Sequence, residues 1–388
     1  KDKEKIKLII RESEGREYEY GDMLTVRGNL EKPKPFETTS GGIFDYPNYL
    51  KKDSILGIVK ANTIFKTENN GEPAKRAGNP VSRVLYKFNN KLEDIVKTLV
   101  PNTKGSLSTG VLLGDKQITK ENREEFVATG TTHIIALSGY NVSIVSGFFR
   151  ELFSFLPLAG ALAMGGLAIL FFVIMTGLQS SAVRAGIMAG IVLFAKSKGR
   201  SANIGTVILM AAFVMTAINP YTLYRDVSAQ LSFLATVGII YFSPRVAHWF
   251  VKVPEKALGI PWREMLTGTI GTQIFVLPFI LWKMSVLSII SPITNILILP
   301  FVPYLMAFTA VTAIVGYIYL PLATPFAFIA SLFAGAILFL IHASANVLFA
   351  AVTVQMPFIV MLLTYAFLFY CFDPFGWVKR NSKKYDNE

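Results

Sequence analysis

The sequence predicts a small β domain followed by a polytopic α-helical membrane domain that contains broken or re-entrant helices. Three observations carry this. Hydrophobic residues make up 52% of the 388 residues and charged ones only 16%, against roughly a quarter charged in ordinary soluble domains. The first 130 residues are charge-rich, and beyond them apolar runs of membrane-crossing length follow one another. Pro292, Pro300 and Pro303 interrupt two of those runs where no polar loop separates them, the pattern of a helix that breaks or turns back.

Residues 1–72 form the β domain. Ile6, Leu8 and Ile10 alternate with polar residues, Met23–Leu30 does so less cleanly, and Ser54–Lys66 adds a β-branched run. Gly21-Asp22 and Asn70-Gly71 supply turns, and a short partial barrel fits. DYPNYLKKD at 45–53 reads as a short helix or turn. The aromatics Phe36, Phe44, Tyr46 and Tyr49 either stack on nucleic-acid bases or close the barrel core and meet lipid headgroups; Tyr46 and Tyr49 are the DNA-binding candidates.

Residues 73–129 are expected as amphipathic and short helices at the membrane surface. Apolar residues at 81, 84, 85, 88, 92, 95, 96 and 99 share one helical face, with Lys87, Lys91 and Lys97 off it. Such a helix lies on the membrane or packs on the helices that follow, and does not span. Thr119, Asn122 and Arg123 open another short helix.

The membrane domain occupies 130–375, with spans expected at about 130–149, 156–178, 181–195, 203–218, 227–242, 265–282, 286–300, 301–320, 326–349 and 354–372. Lys196, Lys198 and Arg200 form one basic loop and Arg245, Lys252, Lys256 and Arg263 another, and the charge rule places both in the cytoplasm. Counting back puts residues 1–130 outside. The segment 243–263 reads as an interfacial linker, and 376–388 as a basic polar tail whose side depends on whether 286–300 crosses or turns back.

Polar groups inside hydrocarbon are costly unless they find partners or line a wet path, so they mark candidate sites. The stretch 130–147 carries His133, Ser138 and Asn141 among apolar residues, with Gly139 and Gly147 permitting close helix approach or a break. Further on come Arg184, Asp226, Gln230, Gln273 and Asn295. Each also has a plain structural reading: a snorkelling Arg184, a helix-capping Asp226, amides as interhelical glue. The net charge of +12 does not amount to a basic DNA-binding patch, because residues 1–130 hold 23 Lys/Arg against 19 Asp/Glu and the remaining surplus sits mostly in short membrane loops. The single Cys371 excludes an intramolecular disulfide and Cys-based zinc sites. The chain begins with Lys and shows no signal peptide, so it is expected to start inside a longer reading frame.

GTTHIIALSGYN at 130–141 resembles the hallmark segment of the ComEC/Rec2 competence family. Leu112-Leu113-Gly114-Asp115, Val183-Arg184-Ala185-Gly186-Ile187-Met188, Gly199-Arg200, Asn219-Pro220, DVSAQLSFLATVG at 226–238, Thr272-Gln273 with Pro278, and SPITNILILPFVP at 291–303 follow the family's order. The resemblance implies an OB-like extracytoplasmic domain at 1–72 and a multi-pass channel of the cytoplasmic membrane importing single-stranded DNA in natural transformation. Its path would use His133, Ser138, Asn141, Arg184, Asp226, Gln230, Gln273 and Asn295. A separate nuclease, a DNA receptor and a cytoplasmic helicase would be its partners, beside DNA and the bilayer. Asn141 stands where many members carry a second His, so nothing that needs two imidazoles there is inferred. The family's metallo-β-lactamase-like nuclease cannot be built from His133, His248 and His342; no enzyme activity, metal or cofactor is expected.

Two other readings remain open at this point. A secondary transporter of a small solute also uses broken helices near the mid-membrane. An intramembrane serine hydrolase would use Ser138-Gly139, but it needs a base within hydrogen-bond reach.

Overall fold

The computed structural model describes residues 5–9, 18, 21–37, 43–51, 55–69, 72–73, 80–114, 119–135, 137–200, 203–255 and 262–372. Asn70-Gly71, Asp115, Lys256 and the basic tail lie outside these residues.

The N-terminal part comprises β1 (Lys5–Ile9), β2 (Leu24–Glu31), β3 (Phe36–Glu37), β4 (Ile43–Phe44), α1 (Tyr46–Lys51), β5 (Ile55–Lys66), β6 (Glu68–Asn69) and β7 (Glu72–Pro73). The β-branched run of β5 suits a central strand. It pairs parallel with β1 and antiparallel with β2, Val26 facing Ile64 and Leu30 facing Val59. The register shifts between Arg27 and Gly28, which face Thr63 and Ala61 and leave Asn62 of β5 as the extra residue. Among the described residues this sheet is three-stranded and open, with β3–β4 and β6–β7 as separate short pairs. Asp45 opens α1 by accepting from the Asn48 backbone N–H at 3.1 Å. Leu50 and Ile58 are buried.

The amphipathic stretch forms α2 (Pro80–Leu99), and its apolar face is covered by protein. Leu92, Ile95 and Val96 are buried against α3 (Asn102–Leu113) and the late helices α15 (Val302–Ile318) and α16 (Leu320–Ala345). Lys91 lies 4.3 Å over the Tyr317 ring, and the Asn89 side chain donates to the Met175 carbonyl at 2.8 Å. Of the two placements open to α2, the structure shows packing on the helices that follow. α4 (Lys120–Ala128) is the expected short helix.

The span expected at 130–149 is broken. α5 (Thr132–Ile135) ends before Leu137, and α6 (Gly139–Leu152) starts anew with Ser138 as its N-cap residue. Then come α7 (Leu158–Met175), α8 (Ser180–Ser197), α9 (Ile204–Ile218), α10 (Thr222–Arg225) and α11 (Val227–Val237). α11 continues through a π-helical turn at Gly238–Phe242, α12 (Ser243–Ala247) and a 3₁₀ turn at His248–Phe250, giving one helical run of 24 residues. The first part of the segment assigned to an interfacial linker is therefore helix, with the Arg245 guanidinium turned back onto the Tyr241 carbonyl.

α13 (Trp262–Lys283) leads to β8 (Val286–Ser288), α14 (Ser291–Ile298), a 3₁₀ turn at Leu299–Phe301, and α15. This corrects two of the expected spans. Residues 286–288 pair antiparallel with β9 (Ala351–Thr353), and 291–318 form one bent helical run of 28 residues. Pro292, Pro300 and Pro303 each stand in the first turn of a helical segment, where the missing N–H would be unsatisfied in any case, so they start segments without ending the run. α16 and α17 (Phe358–Phe372) complete the chain. In place of ten expected spans, five helical runs among the described residues are long and apolar enough to cross a membrane: Leu158–Met175, Val227–Phe250, Trp262–Lys283, Ser291–Ile318 and Leu320–Ala345. Ile204–Ile218 and Phe358–Cys371 are apolar but shorter. The main core gathers Leu107, Val111, Phe126, Leu137, Ile298 and Ile337 around the break.

Candidate functional site

The break between α5 and α6 is held from two sides. On one side, Ser138 Oγ donates to Asn141 Oδ1 at 3.1 Å, and Asn141 Nδ2 donates to the Val111 carbonyl at 2.9 Å, near the last turn of α3. Gln179, just before α8, donates to the neighbouring Gly114 carbonyl at 2.8 Å. The carbonyls at a helix end have no partners within their own helix, and these amides supply two. The end of α3 is thus tied at Val111 to the segment at 138–141 and at Gly114 to the start of α8, and Gly139 faces Ala185 of α8.

On the other side the turn 129–131 rests on α14. Gly130 takes φ near +67°, a conformation that suits glycine, and a β-carbon there would lie 2.6 Å from Ser291 Oγ. Thr129 and Thr131, both fully buried, share a 2.8 Å hydrogen bond, and Ser288 donates to the Ala128 carbonyl at 2.7 Å. Ser291 donates to Gln273 Oε1 at 3.4 Å and accepts from Asn295 Nδ2 at 3.2 Å. Asn295 Oδ1 is buried without a protein donor. Gln273 stands ten residues before the end of α13, about 15 Å along the helix. The first turn of α14 therefore abuts the middle of α13.

A third polar group lies between α8 and α11. Arg184 is 4% exposed and Asp226 1%, and the carboxylate charge acts on the guanidinium. Asp226 caps α11, accepting from the Ser228 backbone N–H at 3.0 Å. Arg184 lies 5.9 Å over the Phe233 ring, and its Nη1 is buried without a hydrogen-bond partner. Gln230 faces the groove between α9, α11 and α13, but its amide nitrogen is engaged with the carbonyls of Leu223 and Tyr224, at 2.8 and 3.1 Å. It closes the end of α10.

The structure thus hydrogen-bonds Ser138 to Asn141 and Gln273 to Asn295 through Ser291, and brings Arg184 within electrostatic reach of Asp226. His133 is set apart: it is exposed, with Nδ1 3.2 Å from the Gly130 carbonyl. Tyr46 and Tyr49 stack on each other at 6.5 Å, and the Phe36 ring meets Tyr46 edge-on at 5.7 Å. Gln179, Ser291 and the pair His342–Glu125, 2.7 Å apart, were not singled out from sequence. Gln179 carries a readable signal, a lone amide between two apolar helices; the His342–Glu125 contact joins residues 217 apart and carries none.

A family model described as Competence protein matches residues 111–375. ComE operon protein 3 of Bacillus subtilis (strain 168) is 27% identical over 289 residues, which cover 70% of this chain and 33% of that protein. The chain spans about a third of that relative's length. No solved structure matches. With the family model covering well over half of its residues, and five helical runs long and apolar enough to cross a membrane, the chain is a multi-pass membrane protein that belongs to the ComEC/Rec2 competence family.

Proposed function

We propose that the chain forms the membrane path for single-stranded DNA in competence, crossing the cytoplasmic membrane with residues 1–130 outside and an OB-like module built on the β1–β5–β2 sheet. The observation that carries the reading is the concentration of buried polar groups on facing apolar helices: Arg184 Nη1 and Asn295 Oδ1 keep unspent hydrogen-bonding capacity where hydrocarbon would penalise it. A polyanion needs a wet, polar path with few cations, since many would hold each phosphate too tightly to release it. Arg184, offset by Asp226 and backed by Phe233, suits that requirement. His133, exposed beside the break, lies on the approach, and Tyr46 and Tyr49 offer a stacked aromatic pair to a base. Gln230 shapes the wall through α10.

The hydrolase reading is weaker, because the Ser138 hydroxyl is spent on an amide oxygen and not on a base. A nuclease, a DNA receptor and a helicase are assigned to other chains or domains of the system.

The test is internalised single-stranded DNA at matched protein level in the host strain. Arg184→Gln and Asn295→Leu should each reduce it at least tenfold, and Arg184→Lys should restore part because a point charge remains. Wild-type uptake in all three would overturn the path assignment.

A further inference from the structure

Away from the broken helix, a cleft of about 840 Å³ opens where α6 ends, α7 begins and α8 ends. Three cations line it, Arg150 from α6 and Lys196 and Arg200 from the end of α8, against one carboxylate, Glu151. The other side of the cleft is apolar, made by Leu156 and by Leu158, Ala161 and Leu162 in the opening turns of α7.

The backbone brings these residues to one cleft. Arg200 N–H bonds the Ala195 carbonyl and Gly199 N–H the Lys196 carbonyl, both at 3.0 Å, with Gly199 at φ near +68°. This C-terminal closure turns the chain so that Lys196 and Arg200 line the same cleft. The Arg150 β-carbon passes over Gly165 of α7, where no side chain blocks it.

The level of the cleft in the molecule points to its occupant. α7 is 18 apolar residues long, about 27 Å, so its first turn stands at one face of the hydrocarbon layer. Leu152, Phe155, Leu158 and Phe194 are exposed around it, an apolar collar next to the cations. Phosphate-bearing headgroups and the upper parts of acyl chains meet at that depth. We propose that this cleft binds one anionic phospholipid, its phosphate between Arg150, Lys196 and Arg200 and its acyl chains along Leu158 and Leu162. A nucleic-acid strand matches the charge but not the wall, for the apolar lining beside the cations is Leu156, Leu158, Ala161 and Leu162, and the rings of Phe155 and Phe194 belong to the surrounding collar and not to the lining. The same three helices carry Asn141 and Arg184, so the lipid braces the elements that hold the broken helix. The assignment stands apart from the DNA reading.

The test is native mass spectrometry of the purified chain in detergent, titrated with phosphatidylglycerol or with phosphatidylcholine of the same chain length. Wild type should retain one phosphatidylglycerol in preference to phosphatidylcholine. A cation at a membrane surface contributes about fivefold, so Lys196→Gln, an exposed change at a helix end, should weaken retention about fivefold and R150Q/K196Q/R200Q about a hundredfold. Arg123→Gln, remote from the cleft, should change nothing. Equal retention of the two lipids by wild type, or undiminished phosphatidylglycerol retention by the Lys196 variant, would overturn the proposal. Displacement of the lipid by glycerol phosphate at equal concentration would reduce the site to a phosphate site, and displacement by oligothymidine would give it to the strand; either result also overturns it.

Discussion

Gly130 and Asn141 set the geometry of the broken helix through different physics. At Gly130 the constraint is steric: a side chain would be strained at φ near +67° and would press on Ser291 Oγ and Cβ, at 2.6 and 2.8 Å. Gly130→Ala should therefore cost about 1–3 kcal/mol. Combining it with Ser291→Gly should cost less than the sum of the two single changes, since the clash has gone while the backbone strain remains. Thermal unfolding of the purified variants in detergent checks this, and strict additivity would separate the two positions. At Asn141 the constraint is polarity. Its amide nitrogen faces the Val111 carbonyl, so Asn141→Asp would set an oxygen against an oxygen in a buried place. Asn141→Ala should cost about 1–3 kcal/mol and Asn141→Asp more, by the same measurement.

At the scale of elements, the π-helical turn and α12 of the run Val227–Phe250 meet α13 closely enough that backbone touches backbone. A β-carbon at Gly271 would lie 2.7 Å from the Ser243 nitrogen, and one at Gly238 would lie 3.0 Å from the Gly271 carbonyl oxygen. The π-helical turn at Gly238–Phe242 falls at this crossing, with the Phe242 and Phe275 rings packed beside it at 4.9 Å. Gly271→Ala should lower the thermal midpoint markedly, because the atoms in the way are backbone and cannot rotate aside. Gly268→Ala, one turn earlier with open space around it, should leave the midpoint unchanged or raise it by the helix propensity gained. Equal effects of the two would dismiss the crossing. The sequence alone disclosed that α13 exists and that Gln273 lies within it, because apolar length and a lone amide are local signals. It could not disclose the π turn, the β8–β9 pairing or the fusion of 291–318 into one run. Those depend on which backbones meet, and prolines that begin helical segments look in sequence like prolines that end them. Asn141, Gln273 and Asn295 stand out in sequence for the same local reason, as lone amides in apolar runs, whereas Gln179 and Ser291 were not singled out, and the Val111 and Gly114 carbonyls that Asn141 and Gln179 meet are backbone atoms that no residue type announces.

For the molecule as a whole the question is sidedness, and the packing gives it a handle. The run Val227–Phe250 rises about 36 Å over its 24 residues, enough to cross the hydrocarbon layer, and a crossing would put its two ends on opposite faces. At its start, α10 packs on α1 of the β domain, and the Asp45 charge at the head of α1 acts on Lys283 at the end of α13. The β domain thus shares a face with residues 222–226 and 283, while Arg245 and Lys252 mark the other end of the run. Basic loops favour the cytoplasm, so the β domain should be outside. In a Cys371→Ser background, a single cysteine at the exposed Lys32 should react with a membrane-impermeant maleimide in cells stripped of their wall. One at Ser197, at the end of α8, should react only after permeabilisation. The opposite pattern would invert the protein in the membrane yet keep the helix packing, whereas labelling of both without permeabilisation would mean that the two positions share a face and that the packing of the β domain on α10 does not report sidedness.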